Sequence, residues 1–298
     1  MKKSHSDRLF DAINLGILVL ICVIMVYPLY FIIIASLSDP YAVSAGQVFF
    51  WPKGISLDAY GNVFKNRSIW TGYRNTILYT FAGTLYNLAL TIPAAYVLSK
   101  KRLPGHNGLS WFFFITMYFS GGMVPSYILM NKLQLLNTPW ALIIGTGVSC
   151  YNLIVTRQFF SSSIPESLYE AASIDGASEF TYFFRIAIPL SMPIIAVMAL
   201  FYGVGRWNDY YTALLYVKNR SLWPLQLILR NILIMNENAM ADATGISDEA
   251  MEEAMRQALM AEAMKYSLIF IASAPLLIAY PFVQKYFVKG VMIGSVKG

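Results

Sequence analysis

The chain has 298 residues, of which 57% are hydrophobic and 13% are charged, and this is about half the charged fraction of an average soluble domain. This composition excludes an ordinary soluble enzyme and indicates a protein that crosses a membrane several times. The net charge of +6 is explained by basic residues in the loops between apolar segments, so it does not indicate nucleic-acid binding. Cys22 and Cys150 lie far apart in apolar segments, which argues against a disulfide scaffold or a thiolate metal site.

Six segments contain no Asp, Glu, Lys or Arg, and they approach or exceed the length of about 20 residues that a helix needs to cross a bilayer. They comprise residues 12–38, 75–99, 109–131, 139–156, 186–205 and 267–284. We therefore predict an all-α polytopic membrane protein, with six transmembrane helices in a single domain that covers residues 1–298.

The first apolar segment has a basic head, with Lys2, Lys3 and Arg8, which would also suit a secretory signal peptide. Its apolar run is too long for that and no Ala-x-Ala cleavage site follows, so we predict an uncleaved first helix. Basic residues divide evenly between the two sides of the predicted bundle. The basic cluster at 100–102 and the basic tail after the sixth helix nevertheless favour two cytoplasmic termini.

Residues 161–185 connect the fourth and fifth predicted helices and carry the local signals of a short helix. Ser163 and Glu166 have the spacing of a capping box, Pro165 suits a first helical turn, and Gly176 offers a stop. One side of this predicted helix is apolar and would allow close approach of another protein. Its residues are Ile164, Leu168, Ala171 and Ala172.

This loop resembles the EAA motif of ABC importer permeases. The motif joins a Glu-Ala-Ala triplet to a glycine, and then to an apolar residue and a proline at fixed spacing. The matching positions are Glu170, Ala171, Ala172, Gly176, Ile186 and Pro189. Ile188 stands where the family usually has leucine, which is a conservative departure.

The chain also resembles carbohydrate-uptake permeases of the maltose-transporter type over nearly its whole length. The similar positions are residue 201 and residues 207–210, 214–215, 284–290 and 296–298. The resemblance implies the type I, maltose-type ABC importer permease fold with six transmembrane helices, in the cytoplasmic (inner) membrane of a bacterium. It implies a second, different permease chain, two ATPase subunits that bind ATP and Mg, and an extracytoplasmic solute-binding protein as partners. The substrate would be a sugar or an oligosaccharide, and this chain would hold no cofactor.

The resemblance makes residues 161–185 a cytoplasmic coupling loop, which is called the EAA loop below. The residues implied in coupling are Leu168, Glu170, Ala171, Ala172, Asp175 and Gly176. The leucine and alanine face would enter a cleft of the ATPase, and the glutamate would meet a basic or hydrogen-bonding partner there. The glycine would set the angle at which the chain leaves the helix. A second short helix, capped by Ser178, would lead back to the membrane.

The segment 206–265 is predicted to be an extracytoplasmic loop with an amphipathic helix. Its second half, residues 236–265, carries seven acidic and two basic residues. Ser247 is a suitable N-cap there, and Met251 and Met255 follow at helical spacing. A solvated flap over the helix ends and a docking surface for an extracytoplasmic partner both stay open. The acidic insert resembles that of bacterial permeases for complex oligosaccharides, including uronate-containing ones.

Sugar binding uses aromatic faces and amide or carboxyl groups that water can reach. Such residues cluster at the outer end of the fifth predicted helix, as Trp207, Asn208, Asp209, Tyr210 and Tyr211. The alternative is that the aromatic residues anchor the membrane interface and that the polar ones cap or brace helices. Weaker candidates are Asn87, Asn131 and Asn152, and Arg206 or Arg230 for an acidic sugar.

No catalytic residue and no metal site is predicted. The chain has no G-x-x-x-x-G-K-[ST] sequence, so ATP must bind to another chain. An intramembrane hydrolase would need an H-E-x-x-H or G-x-S-x-G sequence, and the chain has neither, with His5 and His106 as its two histidines. A stand-alone secondary carrier for a polar solute is the remaining alternative. It would place charged residues deep in its helices, and the six apolar segments contain none.

Overall fold

The structure is a computed structural model, and all regular structure in the residues that it describes is helical. The described residues are 5–241, 264–278, 280, 281 and 284. The chain divides into two compact units. The first comprises Met1–Ile69 with Leu229–Ala274, and the second comprises Trp70–Ile228 with Pro275–Gly298.

The first unit is built around the long helix α1 (His5–Ser36), which is followed by α2 (Pro40–Ser44) and α3 (Asp58–Lys65). Most side chains of α1 are apolar and exposed, as they must be where a helix surface faces lipid. The end of α1 is buried instead, in a small core that includes Val43 and Val48.

The second unit contains most of α4 (Arg67–Ser99) and a series of shorter helices. These are α5 (His106–Tyr118), α6 (Met123–Lys132), α7 (Pro139–Ile144), α8 (Cys150–Ser163), α9 (Glu166–Ile174), α10 (Glu179–Leu190), α11 (Met192–Asn208) and α12 (Tyr211–Tyr216). Two more helices follow in the chain: α13 (Leu225–Ala241) and α14 (Met264–Ile278). The helices α5 and α6 are bent by 112° at their link, where Gly122 has φ +84°, a value that favours glycine.

The apolar segments form helices, but several of these helices are broken. Among the described helices, α1 and α4 are each long and apolar enough to cross a membrane alone, and counting each bent pair, α5–α6 and α10–α11, as one span gives four. The fourth predicted helix, 139–156, is divided into α7 and α8 by a link at residues 145–149. The sixth, 267–284, begins within α14 and continues past the last unbroken stretch of described residues.

Prolines account for the break between α10 and α11, which meet at 76°. Pro189 has no backbone N–H to give to the carbonyl of Arg185. Ahead of it the helix widens into a π-helical turn, Phe183–Ala187, and Ile188 donates its N–H to the carbonyl of Phe183. A second proline, Pro193, lies in the first turn of α11, where the missing donor is tolerated.

Candidate functional site

The EAA loop folds as two short helices, α9 and the start of α10. Helix α9 begins at Glu166 because Pro165 holds Ile164 in an extended conformation, with φ −110° and ψ 109°. Ser163 is the last residue of α8 and no side chain caps the start of α9, so the predicted capping box is wrong. Glu166 instead accepts a hydrogen bond from Nη2 of Arg102 at 2.7 Å.

The end of α9 follows the prediction. Asp175 is the C-cap residue and Gly176 has φ +78°, a left-handed conformation that glycine adopts without steric cost. The N–H of Gly176 donates to the carbonyl of Ser173 at 3.1 Å. Ser178 then caps α10, because its Oγ accepts the N–H of Thr181 at 3.2 Å. The predicted turn and the predicted second helix are confirmed.

The outward face of α9 differs from the expectation at two residues. Ile164 precedes α9 and packs, partly buried, against the hydrophobic core of the second unit. Ala172 is 8% exposed and packs in the hydrophobic core of the second unit, so it does not belong to the outward face. Leu168, Glu170 and Ala171 are exposed, as expected, and Ile174 is 86% exposed. Sequence reasoning missed Ile174, although its spacing of three and four residues from Ala171 and Glu170 puts it on their side of the helix.

A polar cavity of about 760 Å³ lies within the second unit, between α4, α11 and the link that separates α7 from α8. A volume of this order is typical of ligand-binding cavities in proteins. The link itself forms one wall. The polar side chains that the helices contribute are Asn87, Asn152, Tyr202, Arg206 and Asn208, and Asp209 follows α11 directly.

Arg206 and Asn87 hold the break between α7 and α8. The guanidinium of Arg206 donates to the carbonyls of Leu142, Ile143 (2.9 Å) and Thr146 (2.7 Å). The side-chain amide of Asn87 donates to the carbonyls of Thr146 (2.6 Å) and Gly147. These carbonyls have no partner within a helix because the helix stops here, and at membrane depth each needs a donor from elsewhere in the protein.

Tyr202 and Thr91 form a second contact at the same break. Their hydroxyl groups lie 2.7 Å apart, and the hydroxyl of Tyr202 also accepts the N–H of Ser149 at 3.2 Å. Thr91 follows Asn87 by four residues on α4, and Arg206 follows Tyr202 by four on α11, so each helix presents both of its residues on one side. The sequence alone did not pair these residues, since the two helices are more than a hundred residues apart in the chain.

The five predicted pathway residues separate into two groups. Asn208 and Asp209 line the cavity, and each also makes a local bond: Asn208 donates to the carbonyl of Val204 at 3.1 Å, and Asp209 accepts the N–H of Thr212 at 3.0 Å. The aromatic residues are not part of the described cavity wall. Trp207 is buried with its ring 6.3 Å from that of Tyr73, the hydroxyl of Tyr211 lies 3.2 Å from the sulfur of Met123, and Tyr210 packs edge-on against Tyr211.

The predicted outer segment 206–265 starts later than expected. Helix α11 continues to Asn208, so Arg206 lies inside it. Its charged group is accommodated there because carbonyls at the break between α7 and α8 accept its hydrogen bonds. The following residues form α12 and α13. The predicted amphipathic helix falls within residues 242–263, outside the part that the structure describes.

Comparison with known proteins decides the family. Residues 68–293 match the family described as "Binding-protein-dependent transport system inner membrane component". The chain belongs to this family. It is 39% identical to Protein LplC of Bacillus subtilis (strain 168), over 100% of this chain and 98% of that protein. It is 37% identical to the polygalacturonan/rhamnogalacturonan transport system permease protein YtcP of the same organism, over 98% of this chain and 99% of that protein.

A solved structure supports the same assignment. It is the crystal structure of a bacterial ABC transporter involved in the import of the acidic polysaccharide alginate, and one of its chains superimposes with a TM-score of 0.84. The sequences are 32% identical, and the match covers 96% of this chain and 99% of that one. The predicted family and the all-helical permease fold are therefore confirmed. As a membrane component of an ABC importer, the chain works with an ATPase and a solute-binding protein and does not itself hydrolyse ATP.

Proposed function

We propose that this permease forms half of the translocation pathway of an oligosaccharide importer, paired with a second, different permease chain. Two ATPase subunits would bind ATP and Mg on the cytoplasmic side, where both termini and the EAA loop would lie. An extracytoplasmic solute-binding protein would deliver the substrate. The observation that carries the proposal is the EAA loop: a short, largely exposed helix that ends in a left-handed glycine, in a chain similar to sugar permeases over its whole length.

The outward face of α9 is the part of the EAA loop that would enter the ATPase cleft. Glu170, Ala171 and Ile174 form this face, which combines a small residue for close approach with an apolar residue to bury. The Glu170 carboxylate lies 3.6 Å from Nη2 of Arg102, and both side chains are more than half exposed. An exposed ion pair of this kind contributes little, so Glu170 is free to exchange Arg102 for a donor on the ATPase.

An acidic oligosaccharide is the substrate class that the cavity suits best. Its wall carries the hydrogen-bonding amides of Asn152 and Asn208 together with the guanidinium of Arg206. No carboxylate among the described residues forms an ion pair with Arg206, and the carboxylate of Asp209 is engaged by the N–H of Thr212. The hydrogen bonds of the Arg206 guanidinium thus go to neutral oxygens, and the nearby carboxylate of Asp209 contributes a longer-range attraction without forming an ion pair. The names of the similar proteins, which transport polygalacturonan, rhamnogalacturonan or alginate, favour the same class.

The proposal is tested by uptake into proteoliposomes. The chain is reconstituted with its partner permease, ATPase and binding protein, and the uptake of a galacturonate dimer is compared with that of its neutral methyl ester. The expected result is uptake that needs both ATP and the binding protein, and that is faster for the acid. A stand-alone carrier would instead show uptake by this chain alone, driven by an ion gradient without ATP.

A further inference from the structure

A lysine enclosed by three tyrosine rings connects the EAA loop to the end of α4. The ammonium nitrogen of Lys100 lies 4.2 Å from the ring centre of Tyr169, 4.9 Å from that of Tyr96 and 5.1 Å from that of Tyr182. All three distances are within the range of cation–π attraction. Tyr96 and Tyr182 are buried, so the cation is partly withdrawn from water.

The three rings come from three different elements. Tyr96 is in the last turn of α4, Tyr169 is in the middle of α9, and Tyr182 is in the first turn of α10. Lys100 itself follows α4 directly. A single ammonium group therefore contacts the end of the long helix and both helices of the EAA loop. We call these four residues the Lys100 cage.

Glu179 fixes the orientation of two of the rings. Its carboxylate accepts a hydrogen bond from the hydroxyl of Tyr96 at 3.3 Å through Oε2, and one from the hydroxyl of Tyr169 through Oε1. The negative charge lies beside the enclosed lysine and compensates part of the desolvation that lowers the pKa of Lys100. The acid thus keeps the cation in place as well as the rings.

Outside the Lys100 cage, α9 is held by weaker contacts. Arg102 lies 2.7 Å from Glu166 and 3.6 Å from Glu170, but all three side chains are more than half exposed and such ion pairs contribute little. The helix is bounded by the extended residue before Pro165 and by the left-handed Gly176, so neither end continues into a neighbouring helix. Its inward contacts are Ala172, in the core of the second unit, and Tyr169. A small alanine gives little resistance to sliding, whereas a charged group between rings is displaced only by breaking several contacts.

We propose that Lys100 is a positioning residue that fixes α9 to the cytoplasmic end of α4, so that movement of α9 with the ATPase also moves α4. This inference rests on the proposed function, because it needs an ATPase that pulls on the EAA loop. Lys100 touches neither substrate nor ATP. Its role is to prevent ATP hydrolysis from moving the EAA loop without moving the transmembrane helix.

The test compares three variants of the assembled transporter in proteoliposomes. Lys100→Met removes the cation and keeps the chain length, Lys100→Arg keeps a cation over the rings, and Lys101→Met is the matched control at the exposed neighbouring lysine. The quantity measured is the ATP hydrolysed per sugar imported. It is expected to rise about threefold or more in Lys100→Met, because this variant loses the cation that contacts all three rings. Lys100→Arg and Lys101→Met are expected to stay within about twofold of the unmodified protein.

A purely structural role for Lys100 would lower the yield of assembled transporter and leave the ratio of ATP to sugar unchanged. That result, in Lys100→Met complexes of normal stoichiometry, overturns the inference and leaves the proposed function intact. If Lys100→Met does not assemble, Tyr169→Leu removes the closest ring instead, and a normal ratio in that variant overturns the inference equally. Failure of the unmodified transporter to hydrolyse ATP in response to sugar would overturn the proposed function, and the inference with it.

Discussion

The guanidinium of Arg206 reaches the side-chain oxygen of Asn87 with two nitrogens, Nε at 3.2 Å and Nη2 at 3.1 Å. Because Asn87 accepts with its oxygen, its amide nitrogen is directed at the carbonyls of Thr146 and Gly147. The two residues thus act as one unit that satisfies the broken end of α7. This contact joins α4 to α11 and holds the cavity wall between them.

Replacing Asn87 by Leu is expected to destabilise the protein. The change removes the side-chain donor to the carbonyl of Gly147, one of the two donors to that of Thr146, and the acceptor for Arg206. An unsatisfied buried polar group costs about 1–3 kcal/mol. Thermal unfolding in detergent measures the effect. The control is Asn208→Ala, because the Asn208 amide bonds only a carbonyl of its own helix, and it is expected to change stability by less than about 0.5 kcal/mol. Equal effects of the two changes would contradict the bracing role.

Tyr202 and Thr91 are expected to behave as a coupled pair. Tyr202→Phe removes the hydroxyl that contacts Thr91 and accepts the Ser149 N–H, at a cost of about 1 kcal/mol. Thr91→Val in the same background should add little, since the shared contact is already lost. A double variant whose cost equals the sum of the single costs would show that the hydroxyl groups do not interact.

Gly83 makes room for Arg206. A Cβ at Gly83 would lie 2.9 Å from Nε of Arg206, whereas one at Gly203 would meet nothing closer than Oγ1 of Thr84 at 3.8 Å. Gly83→Ala is therefore expected to lower stability and slow uptake, and Gly203→Ala is expected to have little effect. In an Arg206→Met background the stability cost of Gly83→Ala should fall, because the guanidinium that the new Cβ would displace is absent. An undiminished cost in that background would place the clash elsewhere.

The Tyr169 hydroxyl gives a prediction about alkaline pH. Its hydrogen bond to Glu179 raises the pKa of Tyr169 above the ordinary value of about 10. A group whose pKa is raised by folding contributes stability that is present below its unfolded pKa and is lost as the pH rises through its folded pKa. The stability difference between the unmodified protein and Tyr169→Phe should thus be constant from neutral pH to near pH ~10 and should decrease above that. Thermal unfolding in detergent across this range measures it, and a difference that grows above the ordinary pKa would refute the bond.

The sequence predicted the EAA loop well because its signals are local. A glycine after a short helix, and a serine before the next, determine their own turn and cap, and both Gly176 and Ser178 act as predicted. The start of α9 was misplaced because Pro165 fits the first turn of a helix and also restricts the residue before it. The proline ended α8 at Ser163, so the serine expected as a cap became the last residue of the preceding helix.

The cavity could not be predicted in the same way, because its wall is held by hydrogen bonds between residues that are far apart in the sequence. An apolar segment such as 139–156 is predicted to be one helix. The break in it is stable because Asn87 and Arg206, from two other helices, donate hydrogen bonds to the carbonyls at the break. The sequence predicts an outer loop that starts at Arg206, since a charge normally marks the end of a membrane span. The prediction of Asn208 and Asp209 at a polar cavity was closer, because the two are adjacent in the chain at the end of α11.

The claim that the EAA loop couples this permease to its ATPase is tested most directly by a pair of glycine variants. Gly176 and Gly105 both have positive φ, +78° and +72°, and a Cβ at either would meet open space, so valine introduces comparable backbone strain at both. The complex is purified through a tag on this chain, and the ATPase that remains bound is measured. We expect loss of the ATPase in Gly176→Val and normal recovery in Gly105→Val. Normal recovery in both variants would contradict this claim.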